Sequence, residues 1–334
     1  MEEICILWRD GLVCIGEIKK NIKAIEIMNK LVAVVFAIVL FGCGNYDRSG
    51  DSISSGKLKL GVDMSYQLMM ESEIDVFQEF YSNAQVNAQY LPETEVIQLL
   101  LKDSIQGAII NRKLTEEELK MFESKKRFPE MVRIAIDGVA FIVHPENQDT
   151  ALTTDQIKRI MSGECKTWRA VGGKSSGDIR VVIDNKASCN ARFIREEFLH
   201  NAPIPENFFA TEKNDDVIDY VSKHPEAIGV ISVSWLSDRE DATSKAIRGK
   251  IKTVGVINDK NKYQSKMPRG PYQAYIYDQT YPYRRDVYAI RTGLKETVGT
   301  GFVSFLAGEK GQLIIHKMGM VAAKSPVRTI KIKQ

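Results

Sequence analysis

The sequence predicts an α/β fold of two lobes with a ligand cleft between them, and three observations carry that prediction. Short apolar stretches of strand character alternate with amphipathic helical stretches along most of the chain, the pattern of mostly parallel strands joined by crossover helices. At 334 residues, 44% of them hydrophobic, the chain can bury a sizeable core and form two domains. One apolar run, VRIAIDGVAFIVHP, is longer than a single strand needs and is broken at Asp137-Gly138. There the chain is expected to pass between lobes, and clefts between domains are where small ligands usually bind.

The elements follow in order. KLKLGVD (57–63) reads as a strand, and MSYQLMMESEIDVFQEFY (64–81) as a helix with Ile74, Phe77 and Tyr81 on one face. VNAQYL is strand-like, TEVIQLLLKDS is an amphipathic helix, and GAIIN is a short apolar strand. RKLTEEELKMFESKK has an acidic start and a basic end, which suit a helix dipole. Beyond the long run, Thr153 and Gln156 fit a capping box. Ile157, Ile160 and Met161 then form an inner face, with Gly163 past the helix end. In VVIDNKASCNARFIREEFL (181–199), three β-branched residues lead through a polar turn into a helix. Ser188 or Asn190 can cap it, and Ala191, Ile194 and Phe198 repeat on one face. Such a turn points free backbone N–H groups at one spot, at the positive end of a helix dipole. NDDVIDYVSKHPEAIGVISVSWL gives a helix ending near Pro225 and then a strand, and GTGFVSFLAGEKGQLIIHKMG returns to helices.

The N-terminal region reads as targeting. Met28-Asn29-Lys30 precedes LVAVVFAIVLFG, an apolar run too short for a membrane span and followed by Cys43. Leu40-Phe41-Gly42-Cys43 resembles the lipobox of bacterial lipoproteins. The expectation is therefore a signal over 28–42, lipid attachment at Cys43 and a flexible tether over 43–56. A signal of this kind begins at its basic end, so residues 1–27 are expected to be a non-native extension upstream of a start at Met28.

A formal charge of +3, from 46 basic and 43 acidic side chains, argues against nucleic-acid binding. The four histidines lack metal-ligand spacing, and no HExxH, CxxC, GxSxG or Walker-type motif occurs, so other chemistries find little support. Cys165 and Cys189, the two cysteines remaining beyond Cys43, could pair or stay free. A thiol nucleophile at Cys189 is conceivable at a helix N-terminus, but nothing nearby in sequence supplies a base. The chain is read as no enzyme. Trp168 and the aromatic-rich PYQAYIYDQTYPYRRDVY could stack on carbohydrate, and cross-strand packing explains them equally well.

From about Lys57 to Val327 the order of motifs resembles the periplasmic phosphate-binding proteins, the substrate-binding subunits of phosphate ABC transporters. The likeness is carried by GAIINRKLTEEE (107–118), DGVAFIVHPEN (137–147) and LTTDQIKRIMSGECKTWRAVGG (152–173). HPEAIGVISVSWL (224–236), YPYRRDVYAI (281–290) and FLAGEKGQLIIHKMGMV (305–321) continue it, and DMSYQ looks most like a lipoprotein branch of the family. The resemblance implies a two-lobed periplasmic-binding-protein fold of type II-like topology, with 57–137 and 285–334 in lobe 1 and 138–284 in lobe 2, and it implies that neither metal nor organic cofactor is needed. It implies a monomer outside the cytoplasm, anchored to a bacterial membrane through lipid on Cys43. That monomer would capture inorganic phosphate or a similar oxyanion and pass it to ABC permease subunits. The alternative is a family member with an altered anion loop that binds another small ligand or acts as a sensor or accessory protein.

The same resemblance implies a ligand set. Ser188 matches the first serine of the family's Ser-Gly-Thr or Ser-Ser-Thr turn and would cap the helix and touch the anion. Cys189 and Asn190 depart from that turn: a thiol is a weak donor, and an amide is larger than a threonine hydroxyl. Many relatives carry an arginine just before the serine, where this chain has Asp184-Asn185; Arg192 could compensate or be a surface arginine. Arg112 matches the arginine of a strand-ending turn and is either an anion ligand or a partner of Glu116 or Glu117. Ser65 would donate from the other lobe, while Asp63 would accept the anion's proton or cap a helix. An acceptor there favours a protonated oxyanion and refuses sulfate. Tyr272 and Gln273 line the cleft or serve packing.

Overall fold

The computed structural model describes residues 5–8, 11–14, 51–236, 242–259, 266–293 and 295–324. The chain divides into two compact units, Met1–Gly50 and Asp51–Gln334. In the first, β1 (Cys5–Trp8) pairs antiparallel with β2 (Gly11–Cys14), setting Cys5 opposite Cys14. The expected signal, Cys43 and the tether as far as Gly50 lie outside the described residues.

The second unit opens with β3 (Ser55–Asp63), so Ser55 and Gly56 belong to a strand and not to the tether. A 3-10 turn over Met64–Tyr66 leads into α1 (Gln67–Phe80), which buries Met69, Met70, Glu73, Ile74 and Phe77 along one face. β4 (Asn83–Leu91), α2 (Glu93–Leu101) and β5 (Gly107–Ile110) complete two crossovers, and β3 lies parallel between β4 and β5. α3 (Glu116–Ser124) starts in a full capping box between Thr115 and Glu118. β6 (Glu130–Val143) then runs unbroken for 14 residues. What changes at Asp137-Gly138 is therefore the strand's partner and not the strand.

β7 (Ala151–Thr153) and α4 (Thr154–Met161) follow, α4 opening in the Thr153–Gln156 capping box and burying Ile157, Ile160 and Met161. Next come β8 (Arg180–Ile183), α5 (Cys189–Phe198), β9 (Phe208–Ala210), α6 (Asn214–Val221) and β10 (Ala227–Ser232). A 3-10 turn at Val233–Leu236 precedes α7 (Ala242–Lys250), β11 (Lys252–Thr253), β12 (Gly255–Ile257) and α8 (Gln273–Tyr277). The chain returns through β13 (Arg284–Arg291), α9 (Val298–Leu306), α10 (Glu309–Lys317) and β14 (Val321–Ala322).

One curled sheet carries both lobes in the order β4-β3-β5-β13-β6-β10-β8-β9, with β11 and β14 also on β6. Residues 130–138 of β6 pair antiparallel with β13, and 139–143 pair antiparallel with β10. The outer strands of each lobe are parallel. At the junction a Cβ on Gly138 would lie 2.7 Å from Ile276 Cδ1, so a larger residue there would push the Ile276 side chain of α8 aside. The returning segment is stitched to the same point: Val139 N–H donates to the Tyr283 carbonyl at 2.9 Å, and Tyr281 Oη donates to the Val139 carbonyl at 2.6 Å. Tyr281 and Tyr283 are buried among Phe141, Phe193 and Phe198, so this part of the aromatic-rich segment packs the core. Among the described residues, the three apolar clusters of the second unit lie within 58–322. Cys165 and Cys189 are buried and free, which removes the pairing option.

Candidate functional site

Two backbone turns meet where the lobes touch. After β3 the chain enters a 3-10 turn whose cap is Asp63, its Oδ1 accepting the Ser65 N–H at 2.9 Å. After β8 the polar turn closes on Ser188, the N-cap of α5, whose Oγ accepts the Ala191 N–H at 3.2 Å and donates to Asp184 Oδ1 at 2.6 Å. Between these possible caps the structure selects Ser188, because its extended φ,ψ aims the hydroxyl back over the first turn. The N–H groups of Cys189 and Asn190 have no partner inside the helix.

The turns interlock. Asp63 Oδ2 accepts the Cys189 N–H at 3.2 Å, and Asp63 Oδ1 accepts from Cys189 Sγ at 3.0 Å. Ser65 Oγ lies 3.2 Å from Cys189 Sγ and accepts from Asn190 Nδ2 at 3.2 Å. The Ser65 carbonyl accepts from Ser234 Oγ and Trp235 Nε1, each at 3.0 Å. Asp63, Ser65, Ser188, Cys189 and Asn190 are all fully buried, so four elements converge on one closed centre.

Arg285, at the start of β13, supplies the cation of this centre. Its Nε donates to Asp137 Oδ2 at 3.0 Å, and Asp137 also accepts from Ser232 Oγ at 2.8 Å and from the Val233 N–H at 3.2 Å. Both Nη groups of Arg285 are buried with no hydrogen-bond partner, and so is Asn190 Oδ1. A buried guanidinium with its two outer nitrogens unpaired is costly unless something with acceptor oxygens completes it. The guanidinium Cζ lies 5.8 Å from the Tyr66 ring centroid. Burial works against its charge, but the acidic groups around it, Asp137 and Asp63, favour the charged form and Arg285 stays protonated.

The acids around it respond to burial. Asp63 is raised by desolvation and then by the Glu93 carboxylate, and Asp137 is raised by desolvation despite Arg285. Asp184 is pushed up to about 6 by burial and by Asp63. Burial also pushes the Cys189 thiol well above its ordinary value. A depressed thiol at the helix N-terminus is therefore corrected: desolvation outweighs the dipole, and the thiol is no poised nucleophile.

The two other expected cations lie elsewhere. Arg112 is held in a two-nitrogen fork by Glu118, at 2.8 and 2.7 Å, so its partner is neither an anion nor Glu116 or Glu117. Arg192 bridges the lobes: Nε donates to Glu93 Oε2 at 2.6 Å, Nη1 to Glu196 at 2.8 Å, and Nη2 to Asn111 Oδ1. Beside it Thr94 donates N–H and Oγ1 to the Ala187 carbonyl, at 3.3 and 3.1 Å. Arg192 is thus a latch across the cleft and not an arginine at the anion turn. Asn111, Arg192, Phe193, Glu196, Glu197, Arg284 and Arg285 line a hollow of about 280 Å³ that opens onto the Arg285 side of the buried centre. Tyr272 is exposed, and Gln273 bonds the His316 and Met320 carbonyls. Among the described residues no group of three or more His, Cys, Asp or Glu could hold a metal ion.

Arg285 and Asp137 were missed by the sequence reading. The available signal was a charge in an apolar run, since Asp137 interrupts AIDGVAFIV and a buried aspartate requires a buried partner.

Two lobes on one curled sheet, closing over a polar centre with an unsatisfied cation, define a solute-binding protein. The chain belongs to the PBP superfamily, whose domain model matches residues 49–310. It is 26% identical over 303 residues to the phosphate-binding protein PstS of Staphylococcus aureus, covering 88% of this chain and 86% of that one. Among solved structures it is similar to an ABC-type phosphate transport receptor from Vibrio cholerae (TM-score 0.59, 20% identity, 80% of this chain and 100% of that one). It is also similar to a Clostridium perfringens protein assigned to phosphate ABC transport and solved with bound phosphate (TM-score 0.67, 22% identity, 80% and 100%).

Proposed function

We propose that this chain is an extracytoplasmic lipoprotein that captures inorganic phosphate between its lobes and delivers it to an ABC permease, itself performing no catalysis. The observation that carries this is the Arg285 guanidinium, buried beside the N-terminus of α5 with both outer nitrogens unpaired. Arg285 and the first N–H groups of α5 supply donors to a phosphate oxygen set. Asp63 and Asn190 Oδ1 supply acceptors, so the ligand must carry a proton as well as acceptor oxygens. Sulfate, which has no proton to give near neutral pH, would face Asp63 without relief. Ser65 and Ser188 act by positioning: one holds Asn190, the other holds the helix end. Arg192 holds the lobes shut around the ligand through Glu93 and Asn111, and Arg112 takes no part.

The direct test is calorimetric titration of the 51–334 unit, stripped of ligand by unfolding and refolding, with phosphate and then with sulfate. Phosphate binding without sulfate binding is expected. A folded protein that ignores phosphate would overturn the reading and point to another small ligand or to a sensing role. The contact of Asp63 with Cys189 already fills part of the helix end, which is where such an altered specificity would originate.

Cys189→Ser offers a second check. A hydroxyl is a better donor than a thiol and nearly the same size, so the substitution is expected to strengthen phosphate binding by about 1 kcal/mol, or several-fold. Unchanged affinity in the same titration would show that Sγ points only at Asp63.

A further inference from the structure

The pole of lobe 1 opposite the anion centre carries exposed apolar side chains that the binding cycle does not use. Ile53 is 55% exposed, Phe80 53%, Leu313 52% and Tyr81 39%. They are contiguous. The Lys310 ammonium sits 3.1 Å over the Phe80 ring, and Leu313 follows Lys310 by three residues on the same face of α10. Ile53, Tyr81, Phe305 and Lys310 share a shallow hollow of about 480 Å³, with Glu309 at its edge.

We propose that this face docks on the surface of the lipid bilayer. Aromatic rings, aliphatic side chains and a lysine whose ammonium sits over a ring are the composition that settles at a membrane interface. A contiguous exposed apolar patch marks an interaction site more often than chance. The chain itself says which occupant. Ile53 is part of the patch, and Cys43 stands ten residues before it in the sequence. An extended stretch of that length reaches no more than roughly 35 Å. A lipid on Cys43 would therefore keep the patch within that distance of the bilayer, so even a weak surface affinity acts at high effective concentration. This geometry rests on the lipoprotein reading, but the patch can be tested without it.

Docking there fixes the orientation of the cleft. The first end of α1 abuts the anion centre through Ser65 and Tyr66, and Phe80 ends it 14 residues later, about 21 Å away. The patch on the bilayer thus turns the cleft away from the membrane, a holding position in which phosphate can enter. Engagement of a permease in the same membrane requires the patch to let go.

The test uses the 51–334 unit, which has neither Cys43 nor the apolar leader, and vesicles of phosphatidylcholine alone or mixed in equal parts with phosphatidylglycerol. Sedimentation with vesicles is expected, more with the anionic mixture, and Phe80→Ser with Leu313→Ser should reduce it at least about tenfold. Unchanged phosphate titration by the double variant would show that it is folded. In the full chain anchored to vesicles, Phe80→Trp should be quenched by brominated lipid beyond the parent's own tryptophans. No vesicle binding by the parent unit, equal binding by the double variant, or self-association of the unit through this face would each overturn the proposal. Failure here with phosphate binding intact would leave the solute-binding function standing.

Discussion

Arg285→Gln is expected to weaken phosphate binding more than a hundredfold, the largest effect of any substitution in the site. The two outer nitrogens are charged donors with no protein partner, and each such bond contributes on the order of 1.5–3 kcal/mol. The substitution also leaves Asp137 buried and unpaired. Breaking a buried pair costs about 3–5 kcal/mol, so the single variant will fold less stably. The double variant Arg285→Gln with Asp137→Asn removes both charges and is expected to recover much of the stability while staying defective in binding. Arg285→Lys keeps the charge without the planar fork and should fall between. Calorimetric titration beside thermal melts separates the two roles. Normal phosphate affinity in a folded Arg285→Gln protein would reduce Arg285 to the structural partner of Asp137.

The contrast between Arg285 and Arg112 shows what the sequence could and could not carry. Local rules were readable: the Thr153–Gln156 capping box, the buried face of α1 and the cap at Ser188 all follow from spacing within one turn. So was the alternation of strands and helices, and with it the α/β class, while the two-lobed binding fold rests on the resemblance carried by the longer motifs. The choice of cation was not local. Arg112 stands in a turn that resembles an anion turn, yet Glu118, fixed by the capping box at the start of α3, is close enough to take both of its outer nitrogens. Arg285 stands 148 residues from Asp137 in sequence, and only the pairing of β13 with β6 brings them together. Arg192 is committed to protein partners for a related reason. Glu93, at the first turn of α2, belongs to the other lobe, and nothing in either segment announces that they will touch. Asp63, Ser65, Ser188, Cys189 and Asn190, singled out from the sequence as candidates, do come together, because each sits in a turn at the end of a strand and the two turns face each other across the lobes.

Glu73→Gln is expected to raise stability by roughly 3 kcal/mol at pH 7 and to leave it nearly unchanged near pH 4.5. Glu73 lies on the buried face of α1, fully inaccessible, and neither carboxylate oxygen has a hydrogen-bond partner. Desolvation pushes its pKa up to about 9, against an ordinary value of 4.5. Below pH 4.5 the side chain is neutral in both folded and unfolded chains and titration contributes nothing. Between 4.5 and 9 the unfolded chain has released the proton that the folded one still holds. Stability therefore falls by about 1.4 kcal/mol per pH unit until the folded carboxyl also ionises. Glutamine has the same shape and no proton to lose, so it removes the slope without filling or emptying space. Glu73→Met should gain at every pH, because it also removes the unpaired polar atoms while keeping the volume. Melting curves of the parent and both variants across pH 4.5–8.5 give the answer directly. Parallel curves for parent and Glu73→Gln would mean that Glu73 finds a compensating charge in solution. Because the residue lies on the core face of α1, neither variant should alter phosphate affinity, which separates this stability defect from the binding site.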